Sequence, residues 1–137
     1  MTMCIWLISV PEYTDQAKKT MKKTLEDIQA QIVAWRDERD WKQFHTPKDC
    51  SLSLCLEAAE LLEHFQWKDG QEVAQYVKAN KEALGYELAD ILFWTLVMAY
   101  DFEIDMTEIF EKKMQINTGK YPVEKVKGRK NKYTDYQ

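Results

Sequence analysis

Glycine and proline are scarce here, at four and three of 137 residues, while the apolar share is 45% and the charged share 31%. That balance is ordinary for a helical globular protein of one domain. Cysteine is scarce too. Cys4, Cys50 and Cys55 are odd in number and hold no C-x-x-C pair, which disfavours both a disulfide frame and a zinc site and points to a reduced, cytoplasmic protein. Histidine occurs only as His45 and His64, and no E-x-x-H is present, so the ligand motif of di-iron carboxylate bundles is missing. Basic charge is not in excess: the net charge is −4, giving no electrostatic case for a nucleic-acid partner. Long uncharged runs are also missing. MCIWLISV at Met3–Val10 has no basic residue before it and leads into Pro11 and Glu12, unlike a signal peptide. Neither it nor Ile91–Tyr100 is long enough to cross a bilayer.

What remains is helical pattern. Thr14 or Asp15 can cap a first helix to about Arg39, with Met21, Leu25, Ile28, Ile32 and Trp35 at helical spacing. The loop WKQFHTPKD closes at Pro47, Ser51 caps a helix to about Trp67, and Asp69-Gly70 ends it. Gln71–Ala79 reads as a short helix, Lys81–Phe102 as a long one, and Met106 or Thr107 opens a last helix to about Thr118. No strand pattern appears. The expectation is an all-α subunit of four-helix-bundle type, a single domain over 1–137 with an N-terminal extension at 1–13 and a basic tail at 120–137. The helix 81–102 is almost wholly apolar after Asp90, which predicts burial on all sides. A lone bundle leaves each helix one wet face, so the excess predicts a homo-oligomer.

Against that background the acids stand out. LSLCLEAAELLEHFQW carries Glu57, Glu60 and Glu63, and GYELADILFWTLVMAY carries Glu87 and Asp90. Residues three apart lie about 60° apart around a helix, so Glu57 shares a face with Glu60, and Glu87 with Asp90. Glu57, Glu60 and Glu63 alone read as a solvated stripe, a reading that is weaker for Glu87 and Asp90 because Leu84, Leu88, Ile91 and Trp94 leave them little polar face to join. Two E-x-x-[ED] pairs on two core helices can instead converge, and four carboxylates brought together repel unless a cation joins them. Oxygen-only ligands favour Mg²⁺, with Mn²⁺ as a substitute, and Mg²⁺ leaves coordination places for water and phosphate. Glu63, one turn beyond Glu60, is a fifth acid able to bind a second ion or orient water.

Trp67 follows Glu60 by seven residues and Trp94 follows Glu87 by seven, each about 20° off its acid's direction on a continuous helix. A ligand with a metal-binding end and a flat end, such as a nucleoside triphosphate, suits acids that lead into indoles. Trp41, Phe44 and His45 in the loop add stacking surface, although core packing explains any one tryptophan equally well. On the last helix Lys113 and Asn117 lie four apart on one face, within reach of phosphate oxygens, and Lys120 and Tyr121 follow.

ERDWKQFHTPKD, LEAAELLEHFQW, ELADILFW and KMQINTGKYPVEK together resemble the all-α nucleoside triphosphate pyrophosphohydrolases, the MazG-like group, and within it the dCTP pyrophosphatase branch. The resemblance implies a helical bundle that forms a dimer or a dimer of dimers. It implies Mg²⁺ on Glu57, Glu60, Glu87 and Asp90, Trp41, His45 and Trp67 around base and sugar, and Lys113, Asn117 and Tyr121 near the phosphates. The implied reaction is water attack between the α and β phosphates, giving a monophosphate and pyrophosphate in nucleotide-pool house-cleaning. Glu60 or Glu63 is the expected water-positioning acid. The chain departs from the pattern at Ala59, commonly Gly; at Trp94, often Tyr; and at Ile32, which can be His. Fewer polar groups near the base weaken selection through base-edge hydrogen bonds. The rival expectation is a non-catalytic helical oligomer that binds nucleotide or metal as a sensor.

Overall fold

The structure, a computed structural model, describes residues 22–130 and 132–136. The N-terminal extension and the expected helix start at Thr14 or Asp15 lie outside the described residues. The described residues form six helices: α1 (Leu25–Asp37), α2 (Pro47–Glu63), α3 (Gly70–Ala79), α4 (Lys81–Asp101), α5 (Met106–Lys120) and the short α6 (Val123–Val126). Single 3-10 turns cover Lys42–Phe44 and Tyr133–Tyr136, and no strand occurs among the described residues.

Capping chemistry sets the boundaries and moves two of them from where the spacing put them. Residues 22–24 are not helical. Thr24 Oγ1 accepts the Asp27 N–H at 3.2 Å while the Asp27 carboxylate accepts the Thr24 N–H at 2.9 Å, a reciprocal cap that starts α1 at Leu25. α2 begins at Pro47 rather than after Ser51. Thr46 Oγ1 accepts the Asp49 N–H at 3.2 Å, and proline suits the first helical position because its missing N–H would have no partner there. Ser51 lies inside the helix, its hydroxyl donating to the Pro47 carbonyl at 2.7 Å.

α2 also ends at Glu63, short of Trp67. Phe65 N–H bonds back to Leu62, Gln66 to Glu63 and Lys68 to Phe65, a tightened run of three-residue turns that swings Trp67 away from the helix direction. Gly70, at φ +52°, then turns the chain into α3. Asn80 alone separates α3 from α4, with its N–H and its side-chain amide both donating to the Tyr76 carbonyl at 2.9 Å.

α4 is the central element, packed chiefly along α2, then α1, with α3 against it more lightly. The core is small: Leu84, Leu96, Val97 and Ala99 of α4, Val33 of α1 and Cys50 of α2 are buried. Within one chain α4 is therefore not covered on all sides, since Tyr86, Leu88, Leu92 and Tyr100 are exposed. Leu52, Leu56 and Leu62 of α2 and Ile109, Phe110, Met114 and Ile116 of α5 are exposed as well. α5, the fourth long helix, has few contacts with the others; Thr107 donates to Glu26 of α1 at 3.2 Å near its start. By length and composition α4 is also apolar enough to cross a membrane, yet it carries Glu87 and Asp90 midway along its length and is the helix that the others pack around. The basic tail holds α6 and the second 3-10 turn.

Candidate metal and nucleotide site

Packing α2 against α4 brings acids from both helices together. Glu57, Glu87 and Asp90 each offer a carboxylate oxygen, and these three oxygens lie within 4.8 Å of one another. Glu87 and Asp90 meet there because they are one turn apart on α4, and Glu57 faces them from α2. Glu57 and Glu87 are half-buried and Asp90 is exposed. The Trp94 indole N–H donates to Glu57 Oε1 at 3.3 Å, and His64 Nε2 stands 3.8 Å from Glu87 Oε1.

The arginine and lysine ion pairs of the described residues go elsewhere: Arg36 to Asp37 and Asp101, Arg39 to Glu38, Lys48 to Asp49, and Lys112 to Glu108. Among the described residues, three carboxylates thus share one place without a lysine or arginine counter-charge. A donor set of carboxylate oxygens alone fits a hard divalent cation such as Mg²⁺ or Mn²⁺, and such a cation removes the repulsion. Glu60, the expected fourth ligand, is exposed and stands outside this trio. With Glu63, His64, Lys68, Tyr76 and Glu87 it lines an open cavity of about 420 Å³ beside it.

On the other flank, the loop after α1 hangs from a buried ion pair. Arg36 is fully buried; its Nη1 donates to both oxygens of Asp101, at 2.9 and 2.8 Å, and its Nε to Asp37 at 2.8 Å. Burial alone lowers the pKa of Arg36, but the two carboxylates outweigh it and raise it. The Arg36 carbonyl accepts the N–H groups of Arg39 and Trp41, and Asp40 between them takes φ 53°. This tight turn places Trp41 edge-on to Trp35, centroids 5.2 Å apart, and the contacts continue from Trp35 to Phe93 at 5.8 Å and from Phe93 to Trp94 at 5.2 Å.

His45 closes the row, its ring 5.1 Å from Trp94. Its Nδ1 is buried without a hydrogen-bond partner. Burial and then the Arg36 charge hold its pKa below the usual histidine value, so the ring is neutral near pH 7. Next to Asp90, Gln31, Ile32, Trp35 and Phe93 line an open cavity of about 310 Å³, where Ile32 supplies an apolar wall. A larger cavity, about 640 Å³, lies behind His45 against Cys50, Met98 and Asp101 and contains none of the three acids.

The remaining expected residues are not gathered here by one chain. Trp67 is 85% exposed beyond the end of α2, so its seven-residue spacing from Glu60 does not translate into a shared helix face. Lys113 is exposed and Asn117 half-buried on α5, and neither lines these cavities. Tyr121 follows α5, its N–H bonded to the Asn117 carbonyl at 2.9 Å. Conversely, the spacing reading passed over Arg36 and Asp101, the aromatic partners Trp35 and Phe93, and the pair His64 and Tyr76. A signal for His64 was present, since it follows Glu57 by seven residues and so lies near the same helix face.

The family model that matches this chain describes the MazG-like family and covers residues 52–136, from within α2 through the tail. The chain belongs to the MazG-like family. Among curated proteins, dCTP pyrophosphatase 1 of Mus musculus is 40% identical over 114 residues, 82% of this chain and 67% of that protein. The Homo sapiens protein of that name is 38% identical over the same span. Among solved structures, a pyrophosphatase from Archaeoglobus fulgidus superposes with a TM-score of 0.69 at 35% identity, covering 72% of this chain and 92% of that one. The MazG-like segment contains all five acids of α2 and α4 discussed above, while the Trp41–His45 loop precedes it.

Proposed function

We propose that this chain, a nucleotide pyrophosphohydrolase, is a Mg²⁺-dependent enzyme that splits dCTP or a related or modified dNTP into its monophosphate and pyrophosphate. The observation that carries the metal requirement is the trio Glu57, Glu87 and Asp90, with three oxygens within 4.8 Å and no lysine or arginine ion pair joining it among the described residues. Relatives called dCTP pyrophosphatase 1 support the substrate class.

Glu57, Glu87 and Asp90, with Glu60 as a further ligand, would hold a divalent ion, which would supply charge neutralisation for the triphosphate and polarisation of a phosphoryl oxygen. The rest falls to the chain's own side chains. Glu60 or Glu63, on the cavity wall beside Glu87, orients the attacking water and accepts its proton. The aromatic row from Trp41 to Trp94, with His45 against it, offers flat surfaces to base and sugar. Neutral His45 donates or accepts there without adding charge. Stacking tolerates any base, and the Ile32 wall adds no hydrogen bond, so selection among pyrimidines rests on shape more than on base edges.

The exposed apolar faces of α2, α4 and α5 support a homodimer or homotetramer as the working form. In it Trp67 is covered and Lys113, Asn117 and Tyr121 approach the phosphates, some of these groups coming from a second copy. The same reading has the chain act as one cytoplasmic domain, without nucleic acid or membrane as partner. The test is incubation with Mg²⁺ and each standard and 5-modified dNTP, resolving all phosphate products. Monophosphate plus pyrophosphate is expected, with cytosine nucleotides among the preferred substrates. A nucleotide-dependent melting shift with no product from the whole panel would replace this proposal by the sensor.

A further inference from the structure

We propose that His64, held by Tyr76 of α3, is a positioning residue that fixes the Glu87 carboxylate for the metal. This rests on the metal reading of the acid trio. His64 sits in the turn just past the end of α2, its Nδ1 2.8 Å from the Tyr76 hydroxyl and its Nε2 3.8 Å from Glu87 Oε1. Both His64 and Glu87 are about four-fifths buried, with side-chain exposures of 19% and 20%, on the wall of the open cavity beside the trio.

The tautomer follows from what faces each nitrogen. A ring donating from Nδ1 would turn a bare Nε2 lone pair toward a carboxylate. The arrangement that satisfies both ends has the phenol donating to Nδ1 and an Nε2–H facing Glu87. At 3.8 Å this is a charge–dipole contact and not a full hydrogen bond. It favours one carboxylate rotamer, which is how groups around a metal site orient its ligands. Tyr76 is itself seated, with the Lys68 ammonium 4.2 Å above its ring and Phe65 edge-on at 6.4 Å. The short helix α3, which carries none of the three acids, thereby acquires a role at the site: it supplies the hydroxyl that sets the imidazole.

The test is Mn²⁺ binding to the full chain without nucleotide, read from the spectrum of free Mn²⁺, alongside metal-free melting of each variant. We expect His64→Leu to weaken Mn²⁺ by about tenfold and Tyr76→Phe by somewhat less, the usual cost of losing a partner that orients a ligand. His64→Gln can place an amide N–H near the position of Nε2 and should restore binding, whereas His64→Asn reaches only the Nδ1 position and should not. A purely structural histidine would not separate Gln from Asn in this way. Mn²⁺ binding by His64→Leu within about twofold of wild type overturns the inference, as does equal binding by the Gln and Asn variants. If His64→Leu does not fold, unchanged binding in Tyr76→Phe overturns it instead. A wild-type chain that binds no Mn²⁺ removes the metal reading and this inference together, an outcome distinct from failure of the inference alone.

Discussion

Asp101→Leu should destabilise the chain by about 3 kcal/mol. Arg36 is fully buried and always charged, and Asp101 accepts two bonds from its Nη1 at 2.9 and 2.8 Å. Leucine keeps the branching of aspartate but removes both acceptors, leaving the guanidinium with Asp37 as its one carboxylate, whose side chain is 49% exposed. Breaking one side of a buried pair costs about 3–5 kcal/mol. The lower end applies because Asp37 remains and the Asp101 side chain keeps 18% of its exposure. For a chain of this length each kcal/mol moves Tm by about 3–4 °C, so Tm should fall by about 10 °C. The assay is thermal melting by circular dichroism at one fixed protein concentration, because association would otherwise shift Tm. The companion variant replaces both partners, Arg36→Met with Asp101→Leu, and should recover most of the loss, since no buried charge is left unpaired and Asp37, which also loses Arg36, is half exposed to water. A fall of less than about 3 °C in the single variant, or a double variant no more stable than the single, would refute the reasoning. Arg36 also holds the turn leading to Trp41 and His45 through its carbonyl, so the single variant should raise KM for the nucleotide more than it lowers kcat.

Asp90→Asn and Glu60→Gln should each abolish dCTP hydrolysis in Mg²⁺ with an unchanged far-ultraviolet spectrum; full turnover in either removes that residue from the mechanism. Trp94→Phe keeps the ring beside His45 but loses the 3.3 Å bond to Glu57. A long bond to a charged group is worth about 1 kcal/mol, so the Mg²⁺ concentration for half-maximal rate should rise about fivefold; an unchanged metal titration contradicts that role. Burial and the Arg36 charge lower the pKa of His45, so the unfolded chain binds the proton first. The stability from a neutral His45 is present above about pH 6.5 and is lost as pH falls from there through the folded value. Tm should therefore fall more steeply below about pH 6.5 in wild type than in His45→Asn, and equal slopes would show that His45 does not contribute.

The helical class and most of the helices were legible because apolar spacing is a local signal, whereas Asp69-Gly70, expected to end α2, instead opens α3. The start of α2 at Pro47 turned on whether Thr46 or Ser51 capped the helix, and Thr46 caps it with Asp49, three residues on, joining the cap, as Asp27 joins the Thr24 cap of α1; composition does not decide such a contest. The acids Glu57, Glu87 and Asp90 were legible because a carboxylate in an apolar helix needs a reason. Glu60, expected with them, is exposed and is not one of the three acids drawn together. Trp67 misled because its argument assumed that the helix continued through four residues that form turns instead. Arg36 with Asp101 and His64 with Tyr76 were not legible, being 65 and 12 residues apart and joined only by the fold.

The most direct test of the account is the fate of oxygen when dCTP and Mg²⁺ are incubated with the protein in ¹⁸O-labelled water. The account predicts dCMP and pyrophosphate as products, one of the two carrying the label, with the reaction lost in Asp90→Asn. Formation of dCDP and phosphate, label in neither product, or the same products from Asp90→Asn would contradict it.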